Sequence, residues 1–276
     1  MRRILHLSDL HFGRIRPDLT EPLLQTIHRL DPHLVVVSGD LTQRARWSQF
    51  RAAKAFLDRI GPPVMTVPGN HDVPLDNLWV RLLRPFSRYK KVVTADMHPV
   101  WKDEELNVIG VNTVNPFAWQ SGRIRSKAVR RVCSAFDPQR HGRRRIVVLH
   151  HPLNHAPGTD KKLMRGAERA VAQLAECGAD IVLCGHLHAW RAEPHSEGSG
   201  RAATLLVQAG TGLSTRLRGE ENDFNLLTVD GAEVTVDRWA APHHATTFER
   251  CGSLGFRRDG TQWHRLGDAR ISSCNA

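Results

Sequence analysis

Carboxylate, amide and imidazole side chains recur in five short blocks of this chain: Asp9-x-His11, Gly39-Asp40, Gly69-Asn70-His71-Asp72, His150-His151-Pro152 and Gly185-His186-x-His188. Oxygen and imidazole donors without thiolate suit hard or borderline divalent metals, with Mn, Fe and Zn all acceptable. Seven of these residues, Asp9, His11, Asp40, Asn70, His150, His186 and His188, are enough to hold two ions at once. A two-ion centre can activate a water and clamp both the attacking and the leaving oxygen of a displacement. Taken singly, each residue has a plain alternative. An Asp caps helices and makes turns, an Asn follows a turn glycine, and a His can be a satisfied polar group. Their joint occurrence, in order and at matched spacing, is what points to a metal centre. Residues i and i+2 of a short extended stretch face the same side, so the Asp9–His11 and His186–His188 pairs can each present two ligands together.

Each block directly follows a short apolar run: Ile4 to Leu7, Leu34 to Val37, Val64 to Val67, Ile146 to Leu149 and Ile181 to Leu183. Such runs read as buried strands of a parallel sheet, and open α/β sheets keep their sites at the C-terminal ends of strands. Leu19, Leu23, Leu24, Ile27 and Leu30 recur at helical spacing and predict a helix over 18–30. Phe50, Ala53, Phe56, Leu57 and Ile60 predict a second over 46–60, stopped by Gly61-Pro62-Pro63. Asp9 and Asp40 are 31 residues apart, and Asp40 and Asn70 are 30 apart. Each interval fits one βαβ unit, and right-handed crossovers bring successive strand ends to one edge. Further helices are expected over 77–89, 126–136 and 166–177, short strands within 92–113, and a polar loop over 154–165 that contains Pro157-Gly158. After Gly185 the helical period stops. Thr204 to Gln208, Phe224 to Val229 and Ala232 to Trp239 read as strands of a second, antiparallel sheet. The Asn112–Gly122 loop carries Phe117 and Trp119, which either plug the core or form a lid near the metal edge.

The five blocks resemble the signature of the calcineurin-like metallophosphoesterase superfamily: D-x-H, G-D, G-N-H-[D/E], H and G-H-x-H. The likeness covers residues 4–188 by motif and extends to about 240 by fold. It implies an α/β fold, a four-layer α-β-β-α sandwich with two mixed sheets flanked by helices. The expected organisation is one domain over 1–240 and a peripheral extension over 241–276, with short strands around Thr246–Arg250 and Gln262–Leu266. By the resemblance, Asp40 bridges two divalent metal ions; Asp9, His11 and His188 complete one, and Asn70, His150 and His186 the other. The family's ligand precedes x-Pro, which favours His150 over His151. His71 resembles the substrate-side histidine, a general acid or phosphate stabiliser, and Asp72 is the group placed to orient it. The implied activity is metal-dependent hydrolysis of a phosphoester, a diester above all, by a water activated between the ions. Block form and chain size look like the bacterial class III cyclic-nucleotide and glycerophosphodiester phosphodiesterase branch. Leu41-Thr42-Gln43-Arg44 departs from the Ser/Thr protein phosphatase pattern, and His71 stands where the lipid A pathway pyrophosphatase usually has Arg. The alternatives are a UDP-lipid-sugar pyrophosphatase-like hydrolase and a DNA-repair-type nuclease.

Composition sets the outer bounds. The chain has 276 residues, 41% hydrophobic and 24% charged, as an ordinary globular protein does. Its net charge of +11 comes mostly from arginines. They are scattered and lack interleaved aromatics, so solvated surface charge is preferred over a nucleic-acid footprint. The expected partner is a small phosphorylated substrate; nucleic acid is not favoured, and a homodimer stays open. Cys133, Cys177, Cys184, Cys251 and Cys274 are odd in number and contain no C-x-x-C. They read as free thiols of a reducing compartment. The first apolar run is too short for a signal sequence, and no segment approaches a membrane span. A cytoplasmic protein is expected.

Overall fold

Two parallel crossovers begin the chain, as the spacing predicts. The computed structural model describes residues 1–136, 142–155, 159, 161–195 and 204–267; Pro157, Gly158 and Cys274 fall outside them. Strands β1 (Arg2–Leu7), β2 (Leu34–Val37) and β3 (Val64–Thr66) pair in parallel, with Ile4 opposite Leu34 and Val35 opposite Val64. Helices α1 (Thr20–Leu30) and α2 (Trp47–Leu57) connect them. The stretch expected to be one helix over 77–89 is two, α3 (Leu78–Leu83) and α4 (Ser87–Val92). Pro85 explains the break, because a residue before proline is pushed out of the helical region, and Arg84 sits at φ −141°.

The second half builds the other sheet from β4 (Val100–Lys102), β5 (Leu106–Gly110), β6 (Arg144–Val148), β7 (Ile181–Cys184), β8 (Arg191–His195) and β9 (Thr204–Gln208), in the order β4-β5-β6-β7-β9-β8. Helices α5 (Ser126–Ala135) and α6 (Ala167–Glu176) accompany it. The chain then returns to the first sheet through β10 (Asn222–Asp230), β11 (Glu233–Ala241), β12 (Glu249–Asp259) and β13 (Gln262–Leu266), completing seven strands in the order β13-β12-β11-β10-β1-β2-β3. Of the runs expected in a separate antiparallel sheet, β10 and β11 therefore extend the first sheet, while β9 joins the six-stranded sheet in parallel with β7.

Period-2 alternation sorts the apolar side chains into layers. Ile4, Val36, Val108, Val148, Leu183 and Val207 meet between the sheets. Leu5, Leu7, Val35 and Val37 face the other way onto α1 and α2, through Leu23, Ile27, Phe50 and Phe56. Val147 and Val182 pack under α5 and α6, against Val132 and Leu174. The result is a four-layer α-β-β-α sandwich of two mixed sheets. Residues 241–267 supply β12 and β13, and place Leu254, Phe256 and Trp263 in the inter-sheet core. The Trp263 indole donates to the Asp180 carbonyl at 3.0 Å.

The cysteine expectation is corrected. Cys133 on α5 and Cys177 just after α6 form a disulfide, with Cα atoms 5.5 Å apart. Cys251 is also disulfide-bonded, and Cys184 is the free thiol among the described residues. A separation of 44 residues hides the pairing in the sequence, because it arises only once the two helices lie side by side. A disulfide between these helices gives a reducing compartment no support. No helix among the described residues is long and apolar enough to cross a membrane.

Candidate metal centre

All five blocks lie in the loops that leave β1, β2, β3, β6 and β7. Backbone bonds knit those loops together: Asp9 N–H donates to Gly39 C=O at 3.1 Å, His11 N–H to Asp40 C=O at 2.9 Å, and Gly185 N–H to His150 C=O at 3.1 Å. Carboxylates reach across as well. Asp40 Oδ1 accepts from His71 N–H at 2.8 Å, and Asp9 Oδ2 accepts from His186 N–H at 2.8 Å. Eight non-glycine residues among those described have positive φ, and five of them are Asp9, His11, Asp40, His186 and His188. Left-handed backbone at such residues costs about 1–3 kcal/mol each and persists where function demands it. Gly69 shows how tight the loops are, since a Cβ there would fall on Asp40 Oδ1 and the Asp40 amide.

The side chains converge on one buried cluster. Asp9 Oδ1 is 3.1 Å from His188 Nε2 and 3.5 Å from His11 Nε2. Asp40 Oδ2 is 3.7 Å from His11 Nε2 and 3.4 Å from His150 Nε2, so one carboxylate faces both sides of the cluster. Asn70 Oδ1 is 3.2 Å from His150 Nε2. Candidate ligand groups are Asp9–His11–His188, Asp9–Asp40–His150, His11–Asp40–His71 and His150–His151–His186. His186 stands with its ring centroid 5.1 Å from that of His150.

Two imidazoles are aimed from behind. His150 Nδ1–H donates to Ser38 C=O at 2.8 Å, and His188 Nδ1–H donates to Arg216 C=O at 2.7 Å. A carbonyl partner fixes the proton on Nδ1 and leaves the Nε2 lone pair toward the cluster. His151 differs. Its Nε2 donates to Gln120 C=O at 3.1 Å, and its Nδ1 lies 2.8 Å from the Thr113 hydroxyl, so both ring nitrogens are taken.

These residues fit divalent cations on their own evidence. Asp9 Oδ1 is fully buried and accepts no hydrogen bond, a costly state unless a cation satisfies it. Burial pushes the Asp40 carboxyl up, but the charges of His150, His71 and His11 outweigh it and hold the group well below the usual carboxylate range. Burial pulls the His150 imidazole down, and Asp40 reverses this, raising it to about 9. A carboxylate cluster that draws protons onto its histidines draws metal cations in the same way.

His71 sits at the rim. Its Nδ1–H donates to Gln43 C=O at 2.9 Å, and its Nε2 accepts from Arg216 Nη1 at 3.1 Å. Burial lowers its pKa, partly offset by Asp40. The expectation that Asp72 orients this ring is corrected, since Gln43 does so. The Asp72 carboxylate accepts instead from the amides of Leu41, Thr42 and Gly69 at 3.1, 2.9 and 3.0 Å, and clamps the second block to the third. Arg216 and Lys161 are site residues that no motif marked. Lys161 Nζ donates to His186 C=O at 3.1 Å. Both reach the site from irregular segments, where the sequence offers no periodicity to read.

A purple acid phosphatase from yellow lupin (Lupinus luteus) is similar with a TM-score of 0.66 at 17% identity, over 94% of this chain and 54% of that one. The chain thus spans about half the length of the lupin protein. A dimetal phosphatase from Danio rerio is similar with a TM-score of 0.66 at 12% identity, over 94% of this chain and 99% of that one. At these identities the likeness is one of fold. No curated protein matches the sequence. The sequence profile for calcineurin-like phosphoesterases matches residues 2–190, which take in all five blocks, and the chain belongs to that family.

Proposed function

We propose that the protein is a metal-dependent phosphoester hydrolase with a preference for diesters. The observation that carries the reading is Asp40, whose Oδ2 lies 3.7 Å from His11 Nε2 and 3.4 Å from His150 Nε2. Asp9, His11 and His188 would hold one divalent ion, and Asn70, His150 and His186 the other, with Asp40 serving both. Mn, Fe and Zn suit this donor set. When bound, such a pair neutralises phosphoryl charge and lowers the pKa of water toward neutrality. The chain's own residues do the rest. Arg216 offers a guanidinium to a non-reacting phosphoryl oxygen. His71 holds one proton on Nδ1 against Gln43; once substrate displaces Arg216 from Nε2, that nitrogen is free to take up the proton the attacking water gives off and deliver it to the leaving alkoxide. The diester preference and the small phosphorylated substrate rest on the form of the blocks. The test is turnover of bis(p-nitrophenyl) phosphate beside p-nitrophenyl phosphate by protein loaded with Mn²⁺. The diester should be the better substrate, with activity abolished by chelator and restored by Mn²⁺. A chain carrying two ions that hydrolyses no ester would sink the reading.

A further inference from the structure

Helix α3 is built inside out. Its buried residue is Arg81, while Leu78, Trp79, Leu82 and Leu83 face solvent. Trp79 is 76% exposed and Leu83 72%. The Arg81 guanidinium donates to the carbonyls of Pro116 at 2.8 Å and Ala118 at 2.5 Å. It thereby staples to α3 the loop that carries Phe117 and Trp119, themselves 78% and 73% exposed. Nine large hydrophobic side chains are exposed among the described residues, and six of them stand on these two tied segments. Scattered exposed apolar side chains need no explanation, but a contiguous group held in place by a buried arginine marks a contact surface.

Charge adjoins this surface. Pro116 and Phe117 also line a groove of about 790 Å³ whose other wall is α5 and the segment before it. Arg123, Arg125, Lys127, Arg130 and Arg131 line it, all exposed, and no Asp or Glu does. The groove stands one residue away from a contact with the fourth block. Asn112 and Val114 line it, and Thr113 between them meets His151 at 2.8 Å.

We propose that α3 and the 115–119 loop dock the protein on a bilayer of anionic phospholipid, with the basic groove over the headgroups and the metal centre beside the lipid surface. Trp and Phe suit the membrane interface, and leucines suit the acyl boundary beneath it. Lys and Arg beside such a face are drawn to anionic lipid. A nucleic-acid strand fits less well, because three of the six apolar side chains are leucines, which offer bases no flat face to stack on. A second copy fits less well too, because a two-fold contact here would set basic groove near basic groove in a chain of net charge +11.

The test is co-sedimentation of the full chain with vesicles of phosphatidylcholine containing phosphatidylglycerol, beside vesicles of phosphatidylcholine alone. Binding should require phosphatidylglycerol and weaken with salt. Trp79→Glu combined with Leu83→Glu should lose at least tenfold in vesicle affinity with the melting temperature unchanged, since both side chains are already in solvent. Arg130→Glu combined with Arg131→Glu should remove the preference for the anionic lipid. Wild-type protein that stays in the supernatant overturns the proposal, as does a Trp79→Glu/Leu83→Glu chain that sediments like wild type. A concentration-dependent dimer abolished by Leu83→Glu would assign the surface to self-association and overturn it too. Vesicle binding needs neither metal nor turnover, so its failure leaves the hydrolase reading standing, and the reverse.

Discussion

Asp40 between the histidines and His71 at the rim divide the work of the cluster. Asp40 is buried with one carboxylate oxygen facing two histidines, so Asp40→Ala should remove tight binding of both ions together with hydrolysis. Elemental analysis after gel filtration reads the first, and retention of two ions per chain with normal turnover would refute the bridging role. His71 is fixed by Gln43 on one nitrogen and Arg216 on the other. His71→Ala should leave metal content near wild type and lower the rate by roughly 10²–10⁴, the range of a positioned acid–base group. The loss should shrink for esters with good leaving groups, which need little protonation; an equal loss would move His71 to phosphate binding. Because Arg216 shares that nitrogen, Arg216→Ala and His71→Ala should be non-additive. The motifs marked the carboxylate, amide and imidazole groups that converge here, because each block follows an apolar strand within a few residues. They were silent on Arg216, which arrives from a segment with no period, and they set Asp72 beside His71 when its oxygens had nearer amides to satisfy.

Elements were legible where one apolar face sufficed to define them. Val35 and Val37 against Val36, and the spacing of Leu23 and Ile27, give strand and helix directly. Strand β8 was not, because RAEPH is a half-buried edge strand paired only to β9 and carries charge where a central strand carries valine. The disulfide was not either, because packing of α5 on α6 creates it. Its removal should be felt at the level of those helices. Cys133→Ser releases a 44-residue separation, and a bridge of this kind is typically worth about 2–4 kcal/mol. Val132 and Leu174 keep the helices on the sheet, so the variant should fold but melt earlier. Denaturant titration with and without reductant checks this: the variant should unfold at lower denaturant than oxidised wild type, and reductant, which opens the Cys251 bridge in both, should close the gap between them.

Across the whole molecule the candidate metal centre is a joint between two sheets. Asp9, Asp40 and Asn70 come from loops of the seven-stranded sheet, and His150, His186 and His188 from loops of the six-stranded one. Ligand geometry therefore depends on the apolar layer between them, and that layer reaches into residues after 241 through Leu254, Phe256 and Trp263. Phe256 is fully buried on β12, paired with Val234 on β11. Phe256→Ala should destabilise the chain by about 3–5 kcal/mol, through lost transfer energy and the cavity left behind. Metal should act in the opposite direction. Ions that bind only the folded joint stabilise it by mass action, about 2.7 kcal/mol at a hundredfold excess over Kd. Saturating Mn²⁺ should thus recover much of the Phe256→Ala loss, and should recover nothing in Asp40→Ala. Guanidinium titration of the four samples, each variant with and without Mn²⁺, reads both effects. Equal rescue of the two variants would mean that the stabilising ions sit somewhere other than between the sheets.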